Sequence, residues 1–145
     1  MPDSENKQST HKHLFDLLFL VDRKMKDIIR EEDSGLSMLQ IAVMRILVIE
    51  GEMSLIEIAQ KIDKDKSQIT RVVQELEKMG ILRKERSQQD RRSFILKMDS
   101  CSKKKVSFYM SKEQKLVNDM LEGISNSDQK TLDRLLLQTH KNLKS

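Results

Sequence analysis

One pattern constrains this chain more than any other. Between residues 54 and 98, two short amphipathic helices follow one another, and two extended runs then flank a polar, basic loop. Ser54-Leu55-Ile56-Glu57 has the spacing of a capping box, in which hydroxyl and carboxylate each satisfy an amide of the first helical turn. Leu55, Ile58, Ala59 and Ile62 share the face that follows. After Asp63-Lys64, the run Asp65-Lys66-Ser67-Gln68 offers another cap, and Ile69, Val72, Val73, Leu76 and Met79 recur at helical spacing. Gly80 is placed to close that helix, with Ile81 making the apolar contact that accompanies such ends. Ile81-Leu82-Arg83-Lys84-Glu85-Arg86 and Ser93-Phe94-Ile95-Leu96-Lys97-Met98 read as strands. In the second, Phe94, Leu96 and Met98 alternate with Ser93, Ile95 and Lys97, the period of a strand with one buried face. Residues 87–92 hold no apolar anchor and read as an exposed hairpin tip. Helix, tight turn, helix and basic hairpin describe a winged helix-turn-helix.

The flanks are helical too. From about Thr10 to Glu32, Leu14, Leu17, Leu18, Val21, Met25, Ile28 and Ile29 form a stripe that Phe15, Phe19 and Leu20 make wider than one packing partner needs. Ser37-Met38-Leu39-Gln40 is a further capping box. It opens a stretch, 41–49, whose single polar residue is Arg45, as expected of a central buried helix closed by a left-handed Gly51. Val106, Tyr109, Met110, Leu116, Val117, Met120, Leu121 and Ile124 follow one helix. The chain breaks near 125–128, and Leu132, Leu135, Leu136 and Leu143 mark the last element. The fold class is therefore mainly α: a winged helix-turn-helix domain (36–99) between an N-terminal helix (1–35) and C-terminal helices (100–145).

Composition narrows the function. With 4 Gly, 1 Pro and 3% aromatic residues among 145, all-β folds and glycine-rich phosphate cradles find no support, and a single Cys excludes a disulfide framework. That Cys fits a reducing compartment. No run approaches a membrane span, and the first residues lack the apolar core of a signal peptide, so a cytoplasmic location is expected. No Gly-x-Ser-x-Gly, His-Glu-x-x-His or phosphate-loop motif occurs, so neither an enzyme nor a cofactor is expected. The net charge of +4 is unevenly spread: residues 64–97 hold ten Lys and Arg against five acids, leaving the other 111 residues at −1.

Such a segment suits a polyanion. Lys and Arg supply affinity by displacing counterions from phosphates, and polar side chains on a helix read base edges in the major groove. On the second helix of the pair, Lys66, Ser67, Gln68, Thr70, Arg71, Gln74 and Lys78 face away from the hydrocarbon. In the hairpin, Arg83, Lys84, Arg86, Arg91 and Arg92 are the cations, and an Arg at such a tip suits a narrow minor groove. Asp90 stands two residues from Arg92, close enough to hold its guanidinium extended, although on these residues alone a plain charged turn is the better reading.

These residues resemble the conserved blocks of MarR-type repressors: Leu36-Ser37-Met38-Leu39-Gln40, Leu55-Ile56-Glu57-Ile58-Ala59, Asp65-Lys66-Ser67-Gln68-Ile69-Thr70-Arg71, Leu76-Glu77-Lys78-Met79-Gly80-Ile81-Leu82 and Asp90-Arg91-Arg92. The resemblance spans about residues 10–143 in element order and is specific mainly over 36–98. It implies a homodimeric transcription regulator that binds a pseudo-palindrome in double-stranded DNA. The recognition helix would be Asp65 through Met79, with Arg92 the minor-groove contact and Asp90 its orienting partner. It also implies that the first helix and the last two pack against a second copy, through Leu14, Phe15, Leu17, Leu18, Leu132, Leu135, Leu136 and Leu143. One departure is that Met98-Asp99-Ser100-Cys101-Ser102 lacks the glycine of the family's Leu-Thr-x-x-Gly-like stretch, so a different helix entry is expected there.

The resemblance further implies a small, often aromatic effector. Phe15, Phe19, Met44 and Tyr109 are candidates for its cavity, and each is equally well explained as packing. Cys101, beside Lys103, Lys104 and Lys105, is a candidate redox thiol, although a structural reading fits it better. His11, His13 and His140 lack the accompanying ligands of a zinc site, so no metal is expected. The competing reading of the whole is a winged helix that serves as an architectural or protein-interaction module.

Overall fold

The computed structural model describes residues 2–32 and 35–144. It contains, in order, α1 (Pro2–Glu31), α2 (Met38–Glu50), β1 (Met53–Ser54), α3 (Leu55–Ile62), α4 (Lys66–Lys78), β2 (Leu82–Arg86), β3 (Phe94–Met98), α5 (Ser100–Met120) and α6 (Asn126–Lys144). No described helix is long and apolar enough to cross a membrane. The chain divides into two compact units, one running to Ser111 and one from Lys112.

In the first unit the core gathers around α2. Its Ile41, Val43, Met44 and Leu47 are buried with Ile58 and Ala59 of α3, Ile69, Val72, Val73 and Leu76 of α4, Leu82, Leu96 and Met98 of the sheet, and Val106 and Tyr109 of α5. Burying each large aliphatic side chain is worth about 1.5–3 kcal/mol, so α2 is the element the others close upon. Both capping boxes form. Ser37 Oγ accepts from Gln40 N (3.1 Å) while Gln40 Oε1 accepts from Ser37 N (2.9 Å), and Ser54 and Glu57 make the reciprocal pair at α3.

The three strands pair antiparallel in the order β1-β3-β2. Met53 faces Leu96, and the β2–β3 ladder runs from Leu82↔Met98 to Arg86↔Phe94. β1 is only two residues long and carries no periodicity of its own. It exists because β3 offers it a free edge.

The fold departs from the sequence-based expectations in several places. α1 begins at Pro2, eight residues before Thr10. Proline is preorganised for the first helical position, and Asp3 and Glu5 suit the positive end of the helix dipole. The acidic run Glu31-Glu32-Asp33-Ser34-Gly35, whose sequence predicts a frayed end for α1, falls partly on residues 33 and 34, outside the described residues. Gly51 has φ +86° and ψ −161°, a glycine conformation but not the left-handed helical one. Asp65 caps α4 without a side-chain hydrogen bond. α5 stops at Met120 rather than continuing through Ile124. It starts on Asp99, whose carboxylate accepts from Ser102 N (2.7 Å), a bond that holds its pKa below the usual value and supplies the helix entry without the family's glycine.

The second unit contains the end of α5 and α6. Ser125 Oγ accepts from Asp128 N (3.1 Å) to cap α6, which has no buried residue.

Candidate nucleic-acid interface

The turn between α3 and α4 is three residues, 63–65, and its geometry rests on Asp63. This residue adopts the left-handed conformation (φ 58°, ψ 48°), which Asp tolerates better than most non-glycine residues, and Lys64 N returns to the Ala59 carbonyl at 3.2 Å. α4 then buries Ile69, Val72, Val73 and Leu76 and turns Lys66, Ser67, Gln68, Arg71, Gln74 and Lys78 outward, all exposed. Thr70 behaves differently. It is half-buried, and its hydroxyl donates to the Lys66 carbonyl at 2.7 Å, so it braces its own helix.

Two ties hold α4 in place. Gln40 is the buried polar side chain of the core, and after completing its capping box it donates from Nε2 to Glu75 on α4 (2.8 Å). At the far end, Gly80 (φ +74°) donates to Glu77 O and Ile81 to Leu76 O, both at 3.0 Å. This is the paired ending that only a left-handed residue permits, and it sets buried Ile81 beneath buried Leu76. Lys84 on β2 meets Glu77 at 3.4 Å. A shallow depression of about 590 Å³ lies there, lined by Arg71, Gln74, Glu75, Glu77, Lys78 and Lys84.

The wing has an ordered base and an ordered tip. At the base, Lys97 bridges Glu85 (2.8 Å) and Glu52 (3.3 Å), and Arg83 reaches Glu85 at 3.1 Å. Glu85 has its pKa lowered, first by the Lys97 hydrogen bond and then by Arg83. The Lys97 pKa is raised, first by Glu85 and then by Glu52.

At the tip, Ser87 Oγ accepts from the amides of Gln89 and Asp90 (3.3 and 3.2 Å). The Asp90 carbonyl receives Ser93 N, and Ser87 N donates to Ser93 O (3.0 Å). Asp90 Oδ1 accepts from the backbone N–H of Arg92 at 3.0 Å. The carboxylate thus shapes the turn, and among the described residues it makes no bond to the guanidinium of Arg92. Arg86, although exposed, is engaged within the wing. Its Nη1 donates to the Arg91 carbonyl (2.6 Å), and its Cζ lies 5.1 Å from the centre of the Phe94 ring. Phe94 is 47% exposed, so the expected buried alternation of β3 holds for Leu96 and Met98 only.

A division among the cations follows. Arg83, Lys84, Arg86 and Lys97 are engaged, whereas Lys64, Lys66, Arg71, Lys78, Arg91 and Arg92 make no ion pair among the described residues. Lys64 joins the expected set. Its charge was visible in the sequence, but its position beside a left-handed turn was not.

The remaining candidates are placed as follows. Met44 and Tyr109 have essentially no exposed surface and lie inside the core, while Phe15 and Phe19 are exposed on α1 with ring centroids 6.4 Å apart. Two of the four are thus enclosed and two lie on the surface of α1. Leu14, Phe15, Leu17 and Leu18 on α1 are exposed, as are Leu132, Leu135, Leu136 and Leu143 on α6. Phe19, Leu20 and Leu137, equally exposed, extend these faces. Cys101 is exposed in the first turn of α5. His11 stacks on Phe15 at 4.8 Å, and no group of three or more metal-ligating side chains forms among the described residues.

Comparison with known proteins places this architecture. The model of the MarR family matches residues 36–94. The uncharacterized HTH-type transcriptional regulator YdgJ of Bacillus subtilis strain 168 is 20% identical over 113 residues, covering 78% of this chain and 69% of its own. Among solved structures, Streptococcus pneumoniae FabT in complex with DNA superposes with a TM-score of 0.81 at 15% identity, covering 95% of this chain and 97% of that one. Bordetella bronchiseptica BpsR, described for the regulation of its DNA binding by 6-hydroxynicotinic acid, gives 0.67 at 18% identity over 88% and 98%. The matched segment contains both capping boxes, the helix pair and the wing tip, so over residues 36–94 this chain is similar to the winged helix-turn-helix transcription regulators of the MarR family.

Proposed function

We propose that the chain acts as a homodimer that binds a pseudo-palindromic DNA operator, with α4 in the major groove and the wing tip at the neighbouring minor groove. One observation carries this reading. Among the described residues of 64–97, the cationic side chains engaged by no ion pair, hydrogen bond or ring are confined to the turn before α4, the outward face of α4 and the tip of the wing. Phosphates can be neutralised by these groups without breaking an internal pair, so the full counterion-release gain is available to binding. Gln68, Arg71 and Gln74, exposed on α4, are the base-reading candidates, and Ser67 and Lys66 at its start suit the backbone. Arg91 and Arg92 take the minor groove.

The exposed leucines of α1 and α6 supply the self-association that a twofold site demands. The likeness to FabT, solved in complex with DNA, supports this mode of binding. Control by a small ligand, which the description of BpsR gives for that protein, belongs to the same reading. Because Met44 and Tyr109 are enclosed here, an aromatic effector would have to enter elsewhere or open the core.

The test is selection from a random duplex pool with the purified chain at two salt concentrations, alongside sedimentation. The expected outcome is a dimer enriching an inverted repeat with half-sites about one helical turn apart. Gln68→Ala or Arg71→Ala should flatten the preference at defined base pairs, and Arg92→Ala should weaken binding by at least about 1 kcal/mol with a shallower salt slope. A monomer indifferent to duplex overturns the proposal, and uniform binding to every duplex replaces it with the architectural reading.

A further inference from the structure

We propose that Arg86 is a positioning residue of the wing. Its guanidinium, clamped between the Phe94 ring and the Arg91 carbonyl, holds the tip in the form that presents Arg91 and Arg92, and it contributes no phosphate contact of its own. The inference rests on the DNA-binding reading above and concerns how that binding is organised.

The clamp is built by register. Arg86 and Phe94 are the last directly opposed pair of the β2–β3 ladder, so their side chains emerge on the same face of the hairpin. The seven residues 87–93 must then close a loop with no apolar anchor. Small turns stabilise it from inside, through Ser87 Oγ, Asp90 Oδ1 and Asp90 O, but all of them lie within the loop. Arg86 is the side chain that joins the loop to the strands, because Nη1 grips Arg91 O at 2.6 Å while the guanidinium plane rests near Phe94. Arg suits this work and Lys does not: only the planar, delocalised head can stack on a ring and aim an N–H along a fixed direction. The position also explains why a large aromatic residue stands half-exposed at the mouth of the wing. Phe94 is the floor on which the guanidinium lies.

Tethering Arg91 by its carbonyl fixes the backbone of the tip and leaves both neighbouring guanidiniums free. A loop already ordered before binding loses less conformational entropy on the duplex, so its contacts are retained as affinity. Arg86 was among the expected DNA contacts, and its charge alone gives no means of distinguishing the two roles.

The experiment compares Arg86→Lys, Arg86→Ala and Phe94→Leu with wild type, and repeats each in an Arg91→Ala/Arg92→Ala background. Binding to the selected duplex is measured across a salt series, and amide protection of residues 87–93 is measured in the free protein. The clamp predicts that Arg86→Lys weakens binding about as much as Arg86→Ala, by about tenfold, although the charge is retained. Phe94→Leu, which removes no charge, should lower the salt slope as the tip contacts are lost. In the Arg91→Ala/Arg92→Ala background all three should be nearly silent, and in each the tip amides should lose protection. Lys rescuing Arg86, additivity in the double background, or an unchanged salt slope in Phe94→Leu would each overturn the proposal. Wild-type protein that binds no duplex removes the DNA reading itself, and the positioning role with it.

Discussion

Residues 36–98 and the two terminal helices handle their hydrocarbon in opposite ways. In the winged helix the inward residues of α2, α3 and α4 are sealed, and even Gln40, the buried polar residue among the described ones, has its amide and carbonyl both engaged. On α1, Leu14, Phe15, Leu17, Leu18, Phe19 and Leu20 are all exposed, and α6 buries nothing while exposing five leucines. The first region is closed, with Val106 and Tyr109 of α5 completing its core. The others have the composition of an interface, and water does not leave patches of that size uncovered without cost.

The sharpest way to break this comparison is to place charge on the terminal faces. Leu135→Glu with Leu136→Glu should leave helicity and the fold of residues 36–98 intact while converting the dimer to monomer by sedimentation. Binding to a two-half-site duplex should then fall about 100-fold or more, because the linked second site is lost. If the double variant remains dimeric, α6 is not part of the interface. Next in size is Leu76→Ala, whose side chain is fully enclosed in the core. A stability loss of about 2–4 kcal/mol is expected in denaturant titration. The equivalent truncation of exposed Leu143 should cost a small fraction of that in the isolated protomer.

How much of this was legible in the sequence depends on how far each feature reaches. Both capping boxes, the hydrocarbon stripes of α2 to α4 and the Gly80 ending are local, and each could be read from four to eight consecutive residues. β1 could not, because two residues pair only when β3 is already in place. The start of α1 was hidden because residues 2–9 are polar and carry no period, although Pro2 with Asp3 and Glu5 is a helix-start signal. Among the site residues, the outward face of α4 could be read because helix period alone sets it. The fates of Thr70, Arg86 and Asp90 could not, since each is decided by an acceptor within the folded turn. Met44 and Tyr109 show the same limit: aromatic and thioether side chains at helical spacing look alike whether they line a pocket or fill a core.

Gln40 joins these two kinds of information, and it offers a smaller test. Gln40→Ala removes the reciprocal half of the α2 cap and the bond to Glu75, so stability should fall by about 1–2 kcal/mol. Gln40→Glu keeps the acceptor for Ser37 N but sets a carboxylate against Glu75. If α4 is held by this tie, the second variant should be the worse DNA binder at equal fold stability. Equal binding by the two would show that the capping box alone matters.

The smallest effect belongs to the wing base, where charge is neutralised rather than offered. Glu85 accepts from both Lys97 and Arg83, so its carboxyl titrates below the usual range. The stabilisation it gives is therefore present above the ordinary carboxylate value and is lost as pH falls through the lowered one. For Lys97 the raised value places the loss at the alkaline end. Both groups are solvent-exposed, so their contribution to stability is small. Their effect on binding has the opposite sign. Glu85→Gln frees Arg83 to meet phosphate and leaves Lys97 paired with Glu52, so non-specific duplex affinity should rise a few-fold, with a salt slope steeper by about one ion. The preference between operator and random sequence should narrow, because the added cation reads no bases. An unchanged salt slope would mean that the wing base stands clear of the duplex and that contact is confined to α4 and the two free arginines of the tip.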